Sequence, residues 1–418
     1  MILVFGIAAA VAMRAILLPG SGLRADLDAF TGWTHWIATH PLGEAYRTDL
    51  AFPPVGAYLF WLLGLIEPGF RTATDASDPA IRLAFKLPAV LADAGLAVGV
   101  GYLLRDRPRW AIAAALGVLL SPVIIYVSAW WGQLESIYVL AGLVAAILAV
   151  GGRPYLAAIA LGLALMAKPQ ALAFIPPFAA WAVACLGWRG SIQAGAVLLA
   201  TVAVLWLPFL TEGGPGDYLQ TLATYQTGIF AILSLRAWNA WWILQSVVAG
   251  NDFATDGGAI LGPLSPRVLG YLIVGLLEVV IIRAVVRTPT QRGLLLGLAA
   301  SVLVFFGVLT SVHERYAFAA LIFLAPLIPD RRVLLTWLAL TAVMTLNLLA
   351  AVPPTAEIGA AVPIGGPLGL AGSLAMIFLS GVVIWLLVAE RASPDGPVGE
   401  YDRAISTQEP ARPSSAGP

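Results

Sequence analysis

The chain has 418 residues, 60% of them hydrophobic and 11% charged, with a formal net charge of zero. A soluble domain carries roughly 25% charged residues, and no water-soluble fold buries so apolar a composition, so lipid must solvate most of it. The neutral balance gives no reason to expect a nucleic-acid partner, and the single cysteine, Cys185, excludes a disulfide framework or a thiolate metal site.

Lysine occurs only at 86 and 168, so nearly every cation is arginine; with the abundant Ala and Gly this is the composition expected of a GC-rich bacterial genome. The opening stretch MILVFGIAAAVAMRAILLPG lacks a basic n-region and an A-x-A site, and it reads as a retained spanning helix. Apolar runs then predict further spans at 82–104, 110–128, 134–150, 154–168, 171–188, 191–210, 267–287, 291–310, 316–329, 332–351 and 366–389. With the first, near 2–19, that makes about twelve. Alternate connections read RDRPRW, GGRP, GWRG, RAVVRTPTQR, PDRR and ERAS, all with arginine, which puts them and both termini in the cytoplasm. This parity holds only if PPVGAYLFWLLGLI (53–66) does not cross, so that segment is expected as an interfacial helix within the first outer loop.

The expected organisation is therefore an all-α integral membrane domain over 1–392, followed by a disordered cytoplasmic tail at 393–418 rich in Pro, Ser and Gly. Its first outer loop is 20–81 and a second long outer loop is 211–266. The outer face, periplasmic in a bacterial inner membrane, collects RADLDAFTGW, WWGQLES, KPQ, LRAWNAWW and SVHERY.

In the first loop a helix over 27–39 is predicted, with Phe30, Trp33 and Ile37 on one stripe and Asp28, Thr31, Gly32, His35 and Thr39 opposite. Asp26 and Asp28 are two residues apart and cannot face each other on a helix. Asp26 reads either as the helix N-cap or as a functional carboxylate. Lys168 lies between two apolar runs, where a cation is costly and marks a site or snorkels to the interface. His313, Glu314 and Arg315 cluster at the end of a span, either as a solvated boundary or as a site. Arg236 precedes Trp238, Trp241 and Trp242, which read as an interfacial belt. Arg315, Arg236 and Lys168 together would suit an anionic phosphate headgroup, and a nearby carboxylate could act as general base on an acceptor hydroxyl.

The order of these motifs resembles the GT-C class of polytopic glycosyltransferases that use polyprenyl-phosphate sugars. It is most similar to the dolichyl-phosphate-glucose glucosyltransferases of N-glycosylation, and also to bacterial relatives of the GPI mannosyltransferases. The resembling elements are ADLDAFTGW (25–33), FPPVGAY (52–58), WGQLES (131–136), KPQALAFIPP (168–177), LRAWNAWW (235–242) and HERY (313–316). The resemblance implies a GT-C fold and a hexosyltransferase. It would move glucose or mannose, with inversion, from a polyprenyl-phosphate donor to a lipid-linked or glycan acceptor, with no cofactor and no metal. It implies that Asp26 is the general base and Asp28 the second acid of the motif. His313, Glu314 and Arg315 would lie at the donor phosphate, with Lys168 and Arg236 steadying the same group. Glu135 stands where the pattern has Asp and is given no role; Arg315 stands where the eukaryotic enzymes have lysine. The main alternative is a transporter or flippase of lipid-linked sugars, which would carry ionisable groups near mid-bilayer on several helices and often internal repeats. An O-antigen ligase or polymerase would instead place its large outer loop late.

Overall fold

A computed structural model describes residues 1–250, 252–259 and 264–390. The tail expected from 393 lies outside the described residues. The chain is 78% helical, with no strand among the described residues. The helices are, in order, α1 (Ile2–Leu17), α2 (Arg24–Thr39), α3 (Pro54–Ile66), α4 (Pro79–Leu103), α5 (Pro108–Leu119), α6 (Pro122–Ile125), α7 (Glu135–Val150), α8 (Pro154–Ala167) and α9 (Ile175–Trp206). There follow α10 (Gly214–Thr227), α11 (Ala240–Val248), α12 (Pro266–Arg287), α13 (Gln291–Val308), α14 (Phe318–Leu324), α15 (Arg331–Ala351), α16 (Ala356–Ala361) and α17 (Gly366–Val388).

Their starts follow ordinary local chemistry. Proline at the first helical position opens α3, α4, α5, α6, α8 and α12, where its missing N–H costs nothing. Side chains of Asp78, Asn239, Ser265, Thr290 and Asp330 accept from backbone amides at the starts of α4, α11, α12, α13 and α15.

Among the described residues seven helical segments are long and apolar enough to cross a membrane, as expected of an all-α membrane protein. One of them, Pro169–Glu212, is interrupted at Gly187, whose φ of 66° breaks α9. Its second half returns along α8, with the Tyr155 hydroxyl donating to Gln193 at 2.7 Å and Gly162 against Thr201. The segment predicted as one span at 110–128 is not a single helix. Pro122 restarts it after a break at Leu120 and Ser121, and Tyr126–Trp131 winds as a π-helical turn ending at Gly132.

The long core runs around α13, where every residue from Gly293 to Val304 is buried between α9, α12, α14 and α17. The first outer loop has a core of its own: Leu27, Phe30 and Ile37 of α2 meet Phe52, Phe60, Phe70 and Phe85. The stripe read from the sequence is thus turned toward protein, and Thr31, placed on the opposite side, is buried with its hydroxyl donating to the Leu27 carbonyl at 2.8 Å. The expected interfacial helix 53–66 is α3, packed against α2 and α8, with Leu65 and Ile66 left exposed.

Several of the arginine-bearing connections meet at one end. Arg292 binds Asp330 and Glu390, each at 2.7 Å, beside Asp106 and Arg107, and Cys185 lies against Pro289. The polar motifs gather at the other.

Candidate functional site

At that second end a cavity of about 390 Å³ is lined by Asp26, Trp131, Arg236, His313, Glu314 and Arg315, with Leu23, Leu235, Phe253 and the 351–353 turn as its apolar wall. Six separate stretches of the chain supply it.

Asp26 sits in the first turn of α2, but the cap is Leu23, which makes no side-chain capping bond. The N-cap reading of Asp26 is therefore corrected. Its Oδ2 instead accepts from Trp131 Nε1 at 2.9 Å and from Gln133 Nε2 at 2.5 Å. Two neutral donors hold the carboxylate from one side, and the residue remains partly exposed on the cavity wall. Asp28 turns elsewhere: its Oδ1 accepts from the Ala76 amide at 2.8 Å and pairs with Arg24 at 3.1 Å, tying α2 to the 75–77 turn. It does not line the cavity.

Arg236 and His313 face each other through backbone pairing, the Leu235 amide donating to the Val312 carbonyl at 3.1 Å. Arg236 adopts φ 61°, as does Ser311 on the facing segment, a costly backbone for a residue with a side chain. Its guanidinium donates to the Ala351 carbonyl at 3.1 Å and has no carboxylate partner among the described residues. The tryptophans that follow are not a belt. Trp238 and Trp242 are fully buried against α17, and Trp241 donates to the Val308 carbonyl, so all three pack the loop into the bundle.

Arg315 lies over the Trp131 ring, its Cζ 4.7 Å from the centroid. Its Nε donates to Glu135 Oε1 at 3.1 Å and its Nη1 to Glu314 Oε1 at 3.0 Å. Glu135 Oε1 also accepts from Lys168 Nζ at 2.5 Å. Glu135, given no role from the sequence, is fully buried and is the shared counter-ion of two of the predicted cations. Lys168 thus stands behind the cavity rather than in its wall. Burial, then the nearby charge of Arg315, pushes the His313 imidazole below its ordinary range, so it is neutral at pH 7. Burial alone would raise the Glu314 carboxyl, but the neighbouring His313 ring, whose Nδ1 lies 3.8 Å from Oε2, and the Arg315 charge outweigh it and hold it below its ordinary range.

Ionisable groups are not confined to this end. Arg14 of α1 pairs with Asp93 of α4 at 2.9 Å, both buried, and Glu278 of α12 accepts from Ser301 of α13 at 2.7 Å. None of the three belongs to the motifs singled out in the sequence, although an ionisable residue inside an apolar run is itself the signal. Those motifs likewise give no role to Trp131 and Gln133, the two donors on Asp26. Among the described residues no group of three or more His, Cys, Asp or Glu side chains is arranged to hold a metal ion. A scan against protein-family models finds no match for this chain, and a search of the curated proteins finds no relative.

Proposed function

We propose that the protein is a polytopic hexosyltransferase of the GT-C type, in about twelve spans. It would take glucose or mannose from a polyprenyl-phosphate donor and pass it to a lipid-linked or glycan acceptor at the outer face of a bacterial inner membrane. The observation that carries this reading is the convergence of a held carboxylate, Asp26, with a guanidinium that has no carboxylate partner among the described residues, Arg236, on one cavity at the end of an apolar helical bundle.

In this reading Asp26 takes the proton of the acceptor hydroxyl as its oxygen attacks the anomeric carbon from the face opposite the phosphate. The bond from that carbon to the phosphate oxygen breaks, and polyprenyl phosphate leaves with the electron pair. Arg236 meets the developing charge with a planar donor fork. Arg315 adds its charge to the wall but is already oriented by Glu135 and Glu314, so its part is to set the field. Lys168 acts on the same field through Glu135, and Asp28 fixes the α2 entry turn. The strained backbone at Arg236 and Ser311 fits a site where geometry is over-determined by its surroundings.

Transport of a lipid-linked sugar is favoured by one observation, the buried groups Arg14, Asp93 and Glu278 within the helices. The assay that separates the two readings offers the purified protein polyprenyl-phosphate glucose, mannose and pentose in parallel with lipid-linked acceptors. Release of polyprenyl phosphate with a new glycosidic product from a hexose donor supports transfer. Movement of the intact donor across vesicles without product overturns it.

A further inference from the structure

The segment from Ser128 to Ser136 contains or contacts four of the charged groups around the cavity. Trp131 and Gln133 hold Asp26, and Glu135 holds Lys168 and Arg315. Its conformation is unusual: the π-helical turn Tyr126–Trp131 widens the coil, a rare device that is frequent at functional sites. Gly132 follows at φ 89°, where a Cβ would come within 2.8 Å of Leu27 and 3.0 Å of Lys86. The segment is therefore pressed against α2 and α4 and needs to be held there.

The holding is done by a group that lines no part of the cavity. Ser128 Oγ donates to Asp93 Oδ2 at 2.6 Å and Ser136 Oγ donates to Asp93 Oδ1 at 2.5 Å, so one carboxylate grips the segment on both sides of the Trp131–Gln133 pair. Asp93 is in turn oriented by Arg14, whose Nε and Nη2 donate to Oδ2 at 3.2 and 2.9 Å, while Nη1 donates to the Leu119 carbonyl at 2.7 Å. All four side chains are buried. Four donors meet this one carboxylate, and a buried ion pair is weak evidence for stability, so the role argued for this one is the geometry it fixes.

We propose that Asp93, oriented by Arg14, is a positioning residue for Asp26: through Ser128 and Ser136 it fixes the Trp131 and Gln133 donors that hold the carboxylate in its reacting position. This rests on the reading of Asp26 as the base, and the test separates the two.

Replacing Asp93 would orphan the buried Arg14, so the informative variant is the pair Ser128→Ala and Ser136→Ala, which leaves the ion pair in place. Two measurements are made on the full-length protein in detergent or nanodiscs. Hydrogen exchange of the backbone amides at 127–134 needs no turnover; it should quicken at least tenfold in the double variant while α13 is unchanged. In the transfer assay kcat should fall about 10- to 100-fold, the range expected when a reacting group is displaced by about an ångström, with the donor KM within twofold. In a Trp131→Phe, Gln133→Ala background the same two serine changes should cost no further activity, because the path to Asp26 is already cut. Wild-type exchange and wild-type kcat in the double variant overturn the proposal, and so does a full additional loss in the cut background. Absence of any transfer by the wild-type protein, with quickened exchange at 127–134 in the variant, overturns the transferase reading and leaves the gripping of this segment by Asp93 supported.

Discussion

Arg236 is the cavity-wall cation whose charge no carboxylate among the described residues already answers, and it is exposed while Arg315 is buried. A hydrogen bond to a charged group is worth about 1.5–3 kcal/mol. Arg236→Ala should therefore weaken binding of a polyprenyl-phosphate sugar by about 10- to 100-fold, read by titration calorimetry on the purified protein, with thermal stability unchanged. His313 supplies a pH signature. Its folded-state imidazole resists protonation because of burial and Arg315, whereas in the unfolded chain it takes a proton near pH 6.5. Below that value the unfolded state binds the extra proton, so the stability this group contributes is present above about pH 6.5 and is lost as pH falls. Thermal unfolding across pH 5–8 should show that loss, and His313→Gln should flatten it. Residue identity was legible in the sequence for Asp26, Arg236 and the 313–315 cluster, which do share one cavity. Pairing was not: Glu135 finds Lys168 across 33 residues and Arg315 across 180, and no local pattern reports so distant a neighbour.

Among the elements, the loop carrying Arg236 is anchored by Trp238, whose ring lies on α17 where Gly372 has no side chain. A Cβ at Gly372 would overlap that fully buried ring. Gly372→Ala should destabilise the protein by at least about 1–3 kcal/mol through overpacking, visible as a lowered Tm. The same variant should raise the donor KM, because the strained Arg236 turn begins two residues earlier. Helix positions were readable because proline, Asx and Ser/Thr starts and apolar runs are local properties; α4, α12, α13, α15 and α17 fall on predicted spans. The π-helical turn at Tyr126–Trp131 was not readable, since it arises from tertiary demands on the segment that Asp93 grips. The tryptophan loop misled for a related reason. An aromatic cluster flanking an apolar run has the same composition whether it faces headgroups or a glycine-notched helix.

Over the whole molecule, residues of 103–107, 291–292 and 326–330 line one pocket at the start of α13, and the cavity lies beyond its far end. In a Cys185→Ala background, single cysteines at exposed Ala29 and Arg107 test the orientation. A membrane-impermeant maleimide on intact cells should label position 29 and leave position 107 unlabelled until the membrane is opened. The reverse pattern would turn the molecule over and place the cavity in the cytoplasm. The most direct trial of the central claim is transfer by purified wild-type protein against Asp26→Asn, with donor binding measured on the same samples. With Asp26 as the base, kcat falls by about 10²–10⁴-fold, the usual worth of a positioned base, while affinity for the polyprenyl-phosphate sugar stays within a few-fold. Wild-type kcat in Asp26→Asn would contradict it.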